Sequence, residues 1–275
     1  MNLFVSDLDG TLLDENAKLP VYSLNALNDL IDSGMNFTVA TARTYATVKQ
    51  ILNGLKLNIP IILMNGVLIR DIQKEEYVFS AVIEKSISDR IIKTLHKHRL
   101  YAFMYTVTNG EMMTYYEKIA TPAMKKFFEE RKKRYSKPFR KVNDLIQFNE
   151  NSVYFSLLNS QEMLMPLYDD LKTIDGIESV FYRDVYSENL WYLEIFSSAA
   201  SKKNAVTFLK NNYEFDNIIC FGDNLNDISM FEVSDKRYAV KNAHPDLKSL
   251  ADGIIGSNTE NGVARFLEIK FRKDS

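Results

Sequence analysis

Leu3-Phe4-Val5-Ser6-Asp7-Leu8-Asp9-Gly10-Thr11 is the stretch on which the fold turns. A short apolar run closing on Ser6 reads as a buried strand, the kind found in a parallel sheet covered on both faces. Two carboxylates follow at once, where the strand ends and the chain must turn. The carboxyl ends of parallel strands form the rim on which open α/β sheets bind ligands. Gly10 permits the tight turn and keeps bulk away from whatever the acids hold. Carboxylates gathered at one point repel one another, so a cation is expected among them. Hard oxygen ligands favour a hard cation such as Mg²⁺.

Working outward, Ser23 to Ile31 places Leu24, Leu27, Leu30 and Ile31 on one helical face, and Phe37 to Ala40 reads as a second strand. A helix from about Tyr45 to Leu55 and a strand from Ile61 to Met64 complete a β-α-β-α-β pattern. The pattern returns near the C-terminus as strand Trp191 to Phe196, helix Lys202 to Lys210, strand Ile218 to Phe221, helix Asp227 to Phe231 and strand Tyr238 to Val240. Two matching halves predict one interrupted α/β domain, a Rossmann-like three-layer core with a mainly parallel sheet, over residues 1-82 and 190-275. The intervening residues 83-189 mix predicted helices and strands and read as an inserted α+β cap domain.

Gly222-Asp223-Asn224-Leu225-Asn226-Asp227 also follows an apolar strand and opens a helix, which would bring Asp223 and Asp227 to the same rim. Each acid alone has a plainer reading, as a turn residue or as a helix N-terminal acid. Both segments ending apolar strands is what favours a shared site. Together, Asp7-Leu8-Asp9-Gly10-Thr11-Leu12 and the 222–227 segment resemble the first and fourth motifs of the haloacid dehalogenase-like superfamily, specifically its Cof-type phosphatases.

The resemblance implies a set of roles. Asp7 would be the nucleophile that forms an aspartyl phosphate, and Asp9 the acid and then the base. Mg²⁺ would be held by Asp7 and Asp223, the backbone carbonyl of Asp9 and, through water, Asp227. Thr41, in Val39-Ala40-Thr41-Ala42-Arg43, matches the family's phosphate-holding hydroxyl, although Ala42 stands where Gly is usual. In Ser201-Lys202-Lys203, Lys202 aligns best with the family lysine that offsets the clustered charge, and Lys203 remains an alternative. Asn65-Gly66 resembles the step lining the substrate entrance, while also being a turn former ahead of a hairpin through Val67 to Ile69. Gly10, Ala42, Asn65, Gly66 and Asn226 join Thr41 and Lys202 as expected phosphate or substrate contacts. Asn242 and the Asn258 to Ala264 segment are expected to be structural.

Composition narrows the partners. Lys and Arg number 34 against 36 Asp and Glu, so a net charge of −2 supplies no general attraction to nucleic acid or an anionic membrane. The single cysteine, Cys220, rules out an intrachain disulfide and fits a reducing cytoplasm. No apolar run reaches the roughly 18 residues a membrane-spanning helix needs. The expected partner is a small phosphorylated metabolite, and the chain is expected to be a monomer or weak homo-oligomer. A phosphomutase sharing the aspartyl phosphate, or a receiver-like switch, are the competing functions. The basic run Lys125 to Lys141 reads as a solvated helix face and its exit loop, or else as a guide for phosphorylated substrates. His96 and His98 lack an evident third metal ligand.

Overall fold

In the computed structural model, which describes residues 1–135, 137–184, 187 and 189–274, the chain opens with β1 (Asn2–Ser6), α1 (Val21–Asp32), β2 (Asn36–Val39) and α2 (Tyr45–Ile51). Strands β3 (Ile61–Leu63), β4 (Leu68–Asp71) and β5 (Glu76–Ser80) come next. Then come α3 (Lys85–Lys97), β6 (Phe103–Thr108), β7 (Glu111–Tyr116), α4 (Pro122–Tyr135), β8 (Phe139–Lys141), β9 (Ser152–Asn159), α5 (Gln161–Leu171), β10 (Ile177–Arg183) and β11 (Trp191–Ser197). The chain closes with α6 (Lys202–Asn212), β12 (Asn217–Gly222), α7 (Ile228–Phe231), β13 (Lys236–Val240), α8 (Pro245–Leu250), β14 (Gly253–Ile255) and α9 (Gly262–Asp274).

These elements separate into two units, Met1–Phe79 with Ser201–Ser275, and Ser80–Ala200. In the first, five strands run parallel in the order β14-β13-β12-β1-β2. Four successive residues of β1, Leu3 to Ser6, are buried. Because neighbouring strand residues point to opposite faces, this requires helices on both sides of the sheet. An isolated parallel bridge from Ala40 to Ile62 sets β3 beside the end of β2, and β3 then folds back into the antiparallel β3-β4 hairpin.

In the second unit, six strands lie in the order β10-β11-β9-β6-β7-β8, antiparallel except for the β7–β8 pair. One face packs on α3 and α5 through Met104, Phe155, Leu157, Leu193 and Ile195.

Three expectations need correction. Trp191 to Phe196 is not a strand of the parallel sheet; as β11 it pairs antiparallel with β9 and β10, so the boundary falls after Ala200 and not near 189. Its alternating burial, with Leu193 and Ile195 inside and Tyr192, Glu194 and Phe196 partly exposed, marks a strand with one covered face. Helix α2 stops at Ile51 and not Leu55, ahead of a turn in which Gly54 has φ 88°. The basic run is not wholly solvated, since Lys137 within it is buried. The C-terminal α8, β14 and α9 went unassigned in the sequence. Among the described residues, no helix is long and apolar enough to cross a membrane.

Candidate active site

Strands β1 and β12 are neighbours, with Ser6 opposite Phe221, so the turns carrying Asp7 and Asp223 leave the sheet side by side. The Asp7 amide donates to the Phe221 carbonyl at 3.0 Å, extending the ladder one residue into the acidic turn. Between the acids stands Lys202, the first residue of α6, whose Nζ donates to Asp7 Oδ1 at 2.5 Å and Asp227 Oδ1 at 2.7 Å. All three are buried, Lys202 to 1% exposure. Lys203 turns the other way, to Glu232 on the surface, so it is Lys202 that reaches the acids.

Asp227 accepts three hydrogen bonds. Its Oδ1 holds Lys202, and its Oδ2 accepts the amides of Asp223 at 2.9 Å and Asn224 at 3.1 Å. It therefore shapes the loop and fixes the lysine. Asp223 Oδ1 accepts the Thr11 hydroxyl at 3.0 Å. Gly10, at φ +79°, lies so close to the Asp223 carboxylate that a Cβ there would overlap it. Asn242 donates to the Gly10 carbonyl at 2.7 Å and accepts the Asn258 amide, bracing the acidic turn from outside.

Asp9 is placed differently. Its carboxylate lies outside the cluster of Asp7, Asp223 and Asp227 and is gripped by Arg43, Nε to Oδ2 at 2.7 Å and a terminal guanidinium nitrogen to Oδ1 at 2.5 Å. Two-pronged pairs of this kind fix orientation as well as charge. Arg43 is a residue that sequence reasoning missed. Its only local signal was its position two residues after Thr41, whose Oγ1 accepts the Arg43 amide at 3.1 Å. Thr41 is buried at the end of β2, and exposed Ala42 next to it has only backbone polar groups to offer.

Met64, Asn65 and Gly66 all have positive φ, a strained turn that lets Asn65 Oδ1 accept from Asn226 Nδ2 at 3.3 Å. A Cβ on Gly66 would collide with the Ser201 backbone carbonyl, one residue before Lys202. The fit of this turn against the start of α6 therefore helps to place the lysine. Gly66→Ala should destabilise the protein by about 2–4 kcal/mol in urea unfolding. A loss below about 0.5 kcal/mol would mean that the turn adjusts freely.

Three carboxylates against one ammonium leave the cluster two positive charges short, the charge of one divalent cation. Ligand oxygens of Asp7, Asp223 and Asp227 lie within 4.8 Å of one another. Asp7 Oδ2 and Asp223 Oδ2 have no hydrogen-bond donor among the described residues, which leaves them for an ion. Burial pushes the Asp7 carboxyl up to about 8 against the pull of Lys202, and burial with the nearby Asp227 pushes Asp223 up to about 6. The Lys202 ammonium is disfavoured by its burial, yet Asp7 and Asp227 outweigh this and raise its pKa.

Carboxyls raised by folding stabilise the native state while protonated. That contribution is whole below their ordinary 3.8 and is lost as pH rises through about 6 and then about 8. Without divalent cation the thermal midpoint should therefore fall across this window. The rise on adding Mg²⁺ should be larger at pH 8.5 than at pH 6 and nearly vanish in Asp223→Asn. A rise independent of pH would contradict the charge deficit.

In the inserted unit, His96 pairs with Glu117 at 3.0 Å beside Asp144, whose carboxylate caps the Ile146 amide at 2.9 Å. His98 pairs with Asp170 at 2.8 Å, so both histidines have carboxylate partners; contrary to the expectation that no third ligand accompanies them, His96 lies with Glu117 and Asp144, their ligand atoms within 4.8 Å of one another.

Comparison with known proteins gives a consistent result. Residues 4–267 match the family model of haloacid dehalogenase-like hydrolases. The 5-amino-6-(5-phospho-D-ribitylamino)uracil phosphatase of Bacillus subtilis is 29% identical over 292 residues, covering 98% of this chain and 97% of that protein. The pyridoxal phosphate phosphatase of Escherichia coli is 24% identical, covering 95% of each. The crystal structure of a haloacid dehalogenase-like hydrolase from Bacteroides thetaiotaomicron shares the fold at a TM-score of 0.77, with 22% identity and 98% of both chains covered.

Proposed function

The chain belongs to the haloacid dehalogenase-like hydrolases, and from that premise we propose that it is a Mg²⁺-dependent phosphatase that frees phosphate from small phosphorylated metabolites through an aspartyl phosphate on Asp7. The observation that carries the reading is the buried Asp7–Lys202–Asp227 array beside Asp223, an acid cluster short of two positive charges at the rim of a parallel sheet.

The residues divide the work as follows. Asp7 attacks phosphorus with one of its carboxylate oxygens, forming one P–O bond as the bond to the leaving oxygen breaks. Lys202, the Thr41 hydroxyl and Asn65 hold phosphoryl oxygens where negative charge spreads. Asp9 delivers a proton to the departing alkoxide and later takes one from the water that cleaves the acyl phosphate. To do so its carboxylate must leave the Arg43 grip, which makes Arg43 the residue that parks and aims it. Asp7, Asp223 and the Asp9 carbonyl would hold Mg²⁺, with Asp227 behind them. When bound, that ion supplies the missing positive charge to acids and phosphate alike. The unit of residues 80–200 acts as a cap that selects the organic part of the ester.

A panel of phosphate monoesters assayed for released inorganic phosphate tests the reading. Turnover should appear with Mg²⁺, disappear with EDTA and return on re-addition. Transfer to a second hydroxyl of the substrate without free phosphate would make the protein a mutase, and activity unaffected by EDTA would remove the metal from the scheme.

A further inference from the structure

The inserted unit carries a cluster that the phosphatase reading does not use, and three separate segments build it. Strands β7 and β8 run side by side as far as Tyr116 and Lys141, and the Val142 amide donates to the Tyr116 carbonyl at 2.9 Å. Glu117 and Asp144 therefore leave the sheet at the same end. His96 stands in the last turn of α3, a helix packed on this sheet through Ile91, Ile92 and Leu95. One ligand atom from each of His96, Glu117 and Asp144 lies within 4.8 Å of the other two. No local motif announces the group, because 21 residues separate His96 from Glu117.

Both carboxylates are oriented by the backbone. The amides of Leu145 and Ile146, consecutive in the helical turn Leu145–Phe148, donate to Glu117 Oε1 at 3.1 Å and to Asp144 Oδ1 at 2.9 Å. Donors of this kind behind carboxylate ligands fix orientation in metal sites. The Glu117 side chain is only 9% exposed, while that of His96, at 40%, leaves the group open to solvent. His96 Nε2 lies 3.0 Å from both Glu117 oxygens. Two ligand atoms on one tetrahedral Zn²⁺ at its usual bond lengths stand about 3.3 Å apart, so the pair already has nearly the span such an ion imposes.

Charge points the same way. Among the described residues neither Glu117 nor Asp144 forms an ion pair with Lys or Arg, and with His96 neutral the group carries two negative charges. Asp144 alone would be a turn cap, and His96 with Glu117 alone an ion pair. Neither role requires the convergence of all three. The group also lies at the C-terminal end of α3, where the helix dipole favours a cation. One imidazole nitrogen with two carboxylates is a donor set for a first-row transition ion, whereas the all-carboxylate cluster of Asp7, Asp223 and Asp227 suits Mg²⁺.

We propose that His96, Glu117 and Asp144 bind one divalent transition metal ion, Zn²⁺ by preference, whose remaining coordination positions are left to water. The ion ties the end of α3 to the turn after β8. This site goes beyond the phosphatase reading and stands or falls independently of it.

Nuclear magnetic resonance of the histidine ring nitrogens in the full chain, titrated with Zn²⁺ alone, is the test. The chain has three histidines, and the acid cluster at Asp7 includes none of them, so zinc held there binds no imidazole. The His96 Nε2 resonance should move and saturate, while that of His98 stays in place. Glu117→Gln and Asp144→Asn should each raise the Zn²⁺ concentration at half-saturation by at least about tenfold. Each replacement keeps an oxygen that can accept from Leu145 or Ile146, so the fold survives and the lost charge is what is read. His98→Ala, whose ring pairs with Asp170 instead, should leave the value within about twofold. An unmoved His96 ring, movement of His98 in step with it, or an affinity unchanged in either carboxylate variant overturns the proposal and leaves an ion pair beside a turn cap. Absence of ester hydrolysis would sink the Asp7 reading and leave these outcomes untouched.

Discussion

Asp7→Asn is expected to lower kcat for phosphate release by about four orders of magnitude or more while leaving the protein folded. The amide occupies the same volume and its oxygen can still accept from Lys202, whose Nζ now lies 2.5 Å from Asp7 Oδ1. What disappears is the anionic oxygen proposed to attack phosphorus, and loss of a covalent nucleophile removes the reaction path itself. The surviving cluster also has one carboxylate fewer, so the variant should bind Mg²⁺ more weakly. Stopped assays of inorganic phosphate, with circular dichroism as the control for folding, give the answer. Activity above about one hundredth of the parent's, at saturating Mg²⁺ and substrate, would remove Asp7 from the role of nucleophile.

Lys202→Met should carry the largest stability loss of any single change at the site. The side chain is 1% exposed and shares its one charge between two buried carboxylates, at 2.5 and 2.7 Å. Taking away one partner of a buried ion pair leaves uncompensated charge and costs about 3–5 kcal/mol. The acids can relieve the strain by taking up protons, so the loss measured by urea unfolding should be larger at pH 8 than at pH 5. Mg²⁺ should recover part of it at pH 8 by supplying charge to the same cluster. The variant should also be nearly inactive, since phosphoryl oxygens lose their cationic partner. A loss below about 1 kcal/mol at pH 8 would show that the lysine is not what balances Asp7 and Asp227.

The acidic turns were legible because both signals are local. Leu3 to Val5 and Ile218 to Phe221 are unbroken apolar runs, each followed within two residues by a carboxylate, and they became β1 and β12 with Asp7 and Asp223 at their tips. Trp191 to Phe196 misled because it precedes a helix, as the other strands of the parallel sheet do. Its alternation of Leu193 and Ile195 with Tyr192, Glu194 and Phe196 was the sign that it belonged to a sheet with one covered face. Arg43 was invisible as a partner of Asp9, because 34 residues separate them and no local pattern foretells the pairing. Lys137 looked like one more surface charge in a basic run, and its burial against Tyr105 depends on how β8 returns alongside β7.

The sequence by itself determined which side chains could do chemistry and at which strand ends they would stand, since strand, turn and helix signals act over a few neighbouring residues. Only the tertiary structure decided that β12 lies next to β1, that Lys202 and not Lys203 enters the acid cluster, that Asp227 is occupied with holding it, and that β11 leaves the parallel sheet. Those outcomes rest on pairing, burial and charge balance between segments as many as 215 residues apart, as for Asn2 and Asn217, and no window along the chain contains both partners.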